Sequence, residues 1–171
     1  MRRLLLLAAM ALTMTMIFVV PAAASPPQDV AISIVETFHA TGPPFVTGTV
    51  TASGGVFGQA TTGLLESQSF SPVGFPHTFP PPHLFMYTAV DQYTFGGGSF
   101  LITFQASCHL VSFDPDTGAA VVDCAGNWRV NGGTGDYTRL KGTGKFTEQQ
   151  EFDGTGAGTG TVTEIGMVQS D

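Results

Sequence analysis

The chain has 171 residues, among them 22 Gly and 11 Pro, with 6 Lys or Arg against 13 Asp or Glu and a formal charge of −7. So few charges and so many helix breakers exclude a coiled coil and a charged disordered tail, and the acidic balance excludes a basic nucleic-acid binder. The positive mean hydropathy, +0.22, owes much to the first two dozen residues.

Arg2 and Arg3 precede an uncharged apolar run from Leu4 to Val20, and Pro21-Ala22-Ala23-Ala24-Ser25 follows it. A positive start, an apolar middle and small residues at the exit predict a secretory signal peptide over residues 1–24, cleaved after Ala24. The alternative is an uncleaved anchor, for which 17 residues are near the shortest bilayer span. The Pro and small residues directly after the run favour cleavage. No Cys follows for lipid attachment, and the Arg pair lacks a twin-arginine context, so a general secretory route is expected.

Cleavage would leave one domain, residues 25–171, with four basic residues (Arg129, Arg139, Lys141, Lys145) against 13 acidic, a formal charge of −9. Such a surface repels phosphate backbones and anionic headgroups, so neither nucleic acid nor stable membrane insertion is expected after cleavage. The acidity also serves the solubility of a secreted protein.

After a Pro-containing leader, Asp29–Phe38 alternates, with Val30, Ile32, Ile34 and Phe38 on one face. Phe45–Ala52 is rich in Thr and Val, and Gly54-Gly55 turns the chain into Val56–Thr62. Phe85–Phe95 carries Phe85, Tyr87, Ala89, Tyr93 and Phe95 in phase, and Gly96-Gly97-Gly98 breaks it from Phe100–Phe113. Ala119–Val130, Lys141–Gln149 and Gly158–Gln169 complete the set. No stretch after residue 24 sustains a capped helical period. Strand-like segments punctuated by Gly or Pro predict an all-β fold, a single antiparallel β-barrel of about eight strands. Closure suits a chain with few charges to guard open sheet edges.

Cys108 and Cys124 flank Asp114-Pro115-Asp116-Thr117-Gly118, whose residues suit a type I turn with a left-handed exit. Phe100, Ile102, Phe104, Ala106 and Cys108 share one face of the incoming strand; Val122, Cys124, Trp128 and Val130 share one face of the outgoing strand. A cross-strand disulfide, Cys108–Cys124, stapling this hairpin is therefore expected. A redox pair would want closer spacing beside a helix, and a metal site more ligands nearby.

The Gly-Thr-Gly repeats at 133–135, 142–144, 154–156 and 158–160 could be read as phosphate-cradling loops, but they lack the helix N-terminus such loops need. Glycines at alternate strand positions fit barrel corners, bulges and close strand crossings instead.

The stretch Trp128-Arg129-Val130-Asn131-Gly132-Gly133-Thr134-Gly135-Asp136-Tyr137-Thr138-Arg139-Leu140-Lys141-Gly142-Thr143-Gly144 follows the pattern W-x-V-x-G-G-T-G-x-Y-x-x-L-x-G-x-G. It resembles a segment of small secreted bacterial β-barrel proteins similar to the allene oxide cyclase and dirigent-like barrels, within a calycin-like architecture. The resemblance covers about 20 residues directly and implies a strand, a glycine turn, a short helical turn around Tyr137–Leu140 and a further strand. Tyr137 and Leu140 would then plug one end of the barrel, while Gly133 and Gly135 take backbone angles closed to other residues. The cyclases' catalytic positions find no matching motif in this chain.

Glu36 is in phase with the inward face of its strand, where a buried carboxylate would have a raised pKa and could act as acid, base or ligand anchor. The ordinary outcome at a strand end is relaxation into solvent, and that is the expectation for Glu36. Between Ser69 and Tyr87 prolines are interleaved with Phe70, Phe75, Phe79 and Phe85 and with His77 and His83. This segment reads as a long loop, either a lid over the barrel mouth or a loop packed on the outer wall. Phe75, His77, Phe79, His83 and Tyr87 are its candidate ligand-binding residues. His77 and His83 lack a third metal ligand, so neither metal nor cofactor is expected. His109 falls on the outer face with Gln105 and Ser107, and His39 has no evident partner. No nucleophile elbow, zinc helix or closely paired carboxylates appear.

The functional expectation is a secreted barrel binding a small apolar molecule without transforming it. An allene-oxide-cyclase-like isomerase using Glu36, and a cell-envelope structural or interaction protein with a filled barrel, are the alternatives.

Overall fold

The computed structural model describes residues 25–41, 43–73 and 84–170. Eight strands in sequence order, each antiparallel to its neighbours, close into a barrel when β8 pairs with β1. They are β1 (Gln28–Phe38), β2 (Val46–Gly54), β3 (Thr61–Val73), β4 (Leu84–Phe95), β5 (Gly98–Phe113), β6 (Ala120–Gly133), β7 (Leu140–Phe152) and β8 (Gly158–Ser170). The expected all-β barrel is thus the observed fold. Period-two alternation builds it, with buried and exposed residues exchanging along β1, β4 and β5 in the phases expected.

Two boundaries differ from the sequence reading. Val56 does not begin a strand: Gly55–Phe57 is a 3-10 turn that drops Phe57 into the core, and β3 starts only at Thr61. The long Ser69–Tyr87 loop is shorter than expected, because Ser69–Val73 continues β3 and Leu84–Tyr87 already belongs to β4. A register shift between Ser67 and Ser69 masks the alternation there. The signal peptide and the candidates Phe75, His77, Phe79 and His83 lie outside the described residues.

The β5–β6 hairpin matches its prediction closely. Cys108 faces Cys124 in register, and their sulfurs are joined at 2.02 Å. The turn is held by Asp114, whose carboxylate accepts from the Asp116 amide and the Thr117 hydroxyl, and Gly118 exits at φ 76°. The second 3-10 turn covers Gly135–Tyr137 rather than Tyr137–Leu140, and positive φ falls on Gly132 and Gly135, not Gly133. Tyr137 and Leu140 are buried as the resemblance implied.

One end of the barrel is sealed by aromatic rings. Phe57, Phe95, Phe100 and Tyr137 meet at centroid separations of 5.4–6.0 Å. Above this plug lies Trp128, whose indole occupies space left by two paired glycines, Gly144 and Gly166. A Cβ on either would lie 2.5 Å from the ring. Such contact is possible only where side chains are absent. The opposite end carries the β1–β2, β5–β6 and β7–β8 connections, with Phe38 and Phe152 in contact at 5.1 Å and only half-buried.

Candidate functional site

Between the plug and the opposite end the interior turns polar. Glu36 on β1, Ser67 on β3, Asp91 on β4, Glu148 and Gln150 on β7 and Glu164 on β8 all point inward and are at most 9 % exposed. Each occupies an inward step of the alternation, so the pleat that buries the neighbouring apolar residues buries these as well. Glu36 therefore does not relax into solvent. It lies opposite Gly160 across the β1–β8 seam, and a Cβ on Gly160 would strike its Oε1. The missing side chain on β8 is what admits the carboxyl.

Two tyrosines of β4 tie the cluster together. Tyr87 donates its hydroxyl to Glu148 Oε2 at 2.6 Å, and Tyr93 donates to Glu164 Oε1 at 2.6 Å. Gln150 Nε2 donates to the other oxygen of Glu148. Among the described residues four polar atoms remain buried without a hydrogen-bond partner: Glu36 Oε1, Ser67 Oγ, Asp91 Oδ1 and Glu164 Oε2. Tyr87, read both as part of the Phe85–Phe95 strand face and as a ligand-binding candidate of the Ser69–Tyr87 segment, is thus an inner-wall residue, with the Phe70 ring tilted against its own at 5.1 Å.

The surroundings raise the carboxyl pKa of Glu36, Asp91 and Glu164. Burial, reinforced by Glu148 and then by Asp91 and Glu164, holds the Glu36 carboxyl well above the ordinary range. Burial pushes Asp91 up to about 7 against the opposing influence of the Ser67 hydroxyl, with Glu148 adding to the rise. Glu164 is pushed up to about 8, chiefly by burial, although the Tyr93 hydroxyl favours its ionised form. Burial and the adjacent carboxylates likewise raise both tyrosine hydroxyls. Among the described residues no Lys, Arg or His joins the cluster: Arg129, Arg139, Lys141, Lys145, His39 and His109 are all exposed.

Near neutral pH the cluster consequently presents carboxylic acids that can both donate and accept hydrogen bonds, with proton exchange close at hand. No group of three His, Cys, Asp or Glu among the described residues has the arrangement to hold a metal ion. His109 lies on the outer wall as expected, 3.9 Å from Asp123, whereas His39 has a partner after all in the Thr47 hydroxyl, at 2.8 Å. A depression of about 710 Å³ on the outer wall runs over β1, β2, β7 and β8, past Ala31, Ile165 and Met167. It lies on the opposite side of these strands from the carboxyl cluster.

Sequence reading picked out Glu36 and Tyr87 but missed Asp91, Glu148 and Glu164. The signal was present: Asp91 occupies the missing step in the series Tyr87, Ala89, Tyr93, and Glu164 follows Val162 in phase. No family model, curated protein or solved structure matches the chain.

Proposed function

We propose that the protein is a secreted barrel that holds a small, mainly apolar molecule, gripping its polar group with the carboxyl cluster. The observation that carries this reading is the set of four buried, unpartnered polar atoms on Glu36, Ser67, Asp91 and Glu164. Each such atom costs about 1–3 kcal/mol when left unpaired, and a ligand's polar group arriving among them recovers part of that. The aromatic plug closes one end, so access would be from the end bearing Phe38 and Phe152. The disulfide is compatible with an oxidising compartment and supports secretion, together with the signal-like first 24 residues.

Protein secreted by a bacterial host should lose a discrete extra mass between native and denaturing mass spectrometry. A bare chain, lighter by two protons for the disulfide and with no companion mass, would overturn retained-ligand binding. The second reading is an isomerase or cyclase like the allene oxide cyclases, favoured by the inward Glu36 held protonated away from water. Glu36→Gln should then abolish turnover of an epoxide substrate with little change in melting temperature. Unchanged turnover would remove the residue from that chemistry.

A further inference from the structure

We propose that the interior cluster is a receptor for an organic monocation, an ammonium head on a short apolar body. This rests on the ligand-binding reading above and names its ligand class. Four acidic side chains, from β1, β4, β7 and β8, converge inside one barrel. Among the described residues the other strands bring no inward charge to oppose them. Val50 of β2, Phe104 of β5 and Val122 of β6 are apolar, and β3 adds only the Ser67 hydroxyl.

Apart from the protons on the carboxyl groups themselves, the internal donors are few. The Tyr87, Tyr93 and Gln150 side chains serve Glu148 and one oxygen of Glu164. That leaves Glu36 Oε1 and Glu164 Oε2 unpartnered, on side chains 5 % and 0 % exposed, with Ser67 Oγ unpartnered on a side chain 3 % exposed. An ammonium group supplies three N–H donors and no acceptor, which matches orphaned carboxyl oxygens. An anionic head would bring a buried charge among acids that already resist ionisation, with no cation beside it among the described residues, and is excluded on electrostatic grounds. Uptake of the cation converts one carboxyl to carboxylate and sends its proton to solvent, so charge balances and affinity rises from about pH 6 to about pH 8.

Isothermal titration of the disulfide-bonded secreted protein with octylammonium, octanol and octanoate, in two buffers of different ionisation enthalpy, tests this. Octylammonium is expected to bind about tenfold or more tighter than octanol, with buffer-dependent heat from proton release, and octanoate should not saturate. Glu36→Gln and Glu164→Gln should each lose the amine preference while keeping octanol binding. If either variant fails to fold by circular dichroism, Asp91→Asn carries the same comparison. Equal binding of octanol and octylammonium overturns the cation proposal and leaves apolar-ligand binding standing. Failure of all three probes to bind overturns both. Amine binding untouched by the variants means attraction to the acidic surface alone and overturns the proposal.

Discussion

Glu164 shows how one residue makes the whole barrel sensitive to pH. Its carboxyl is fully buried and titrates near 8 in the fold, against an ordinary value of 4.5. Below about 4.5 the folded and unfolded states are both neutral, and the fold has its full stability. As pH rises from there to about 8, the unfolded chain releases a proton that the folded chain retains, so stability falls by about 1.4 kcal/mol per pH unit. Asp91, raised from 3.8 to about 7, adds to the same slope. The melting temperature is therefore expected to be higher at about pH 5 than at about pH 8. Glu164→Gln, which keeps the shape and removes the proton, should flatten the profile. An identical slope in that variant would show that Glu164 stays ionised inside the barrel.

The β5–β6 hairpin is an element whose local sequence and tertiary position agree. The two cysteines oppose each other, sixteen positions apart, across a turn specified by Asp114, Thr117 and Gly118. Closing a loop of that length stabilises the fold by about 3 kcal/mol, mostly by restricting the unfolded chain. Replacing both cysteines with Ala should lower the melting temperature while leaving the far-ultraviolet dichroism of the barrel intact. A melting temperature unchanged in the double variant would mean that packing alone holds the hairpin. This hairpin was legible because turn residues and alternation act over a few neighbouring positions. The start of β3 was not legible: the Gly55–Phe57 turn is set by where Phe57 can reach other rings, Phe95 among them, and those lie on strands distant in sequence.

At the scale of the whole molecule, closure places Trp128 of β6 over glycines of β7 and β8. Gly166→Ala would set a Cβ 2.3 Å from the Thr143 carbonyl oxygen and 2.5 Å from the indole. Strand and ring would both have to shift, at a cost of about 1–3 kcal/mol. The near-ultraviolet dichroism of the single tryptophan should change along with the melting temperature. If Gly166→Ala melts like the parent protein, the ring is not held against that seam.

Alternation, turn chemistry and the paired cysteines were enough, without any tertiary knowledge, to determine an antiparallel barrel of about eight strands, the apolar inward faces of β1, β4, β5 and β6, and the staple between two of them. These are local properties, since each residue's side of a strand follows from its neighbours two positions away. The carboxyl cluster was decided only by closure. Glu36, Asp91, Glu148 and Glu164 each look like an isolated exception to an apolar face on strands far apart in the chain. Only the ring of strands, with β8 returning to pair with β1, brings those exceptions into one enclosed space where burial and mutual repulsion change their chemistry.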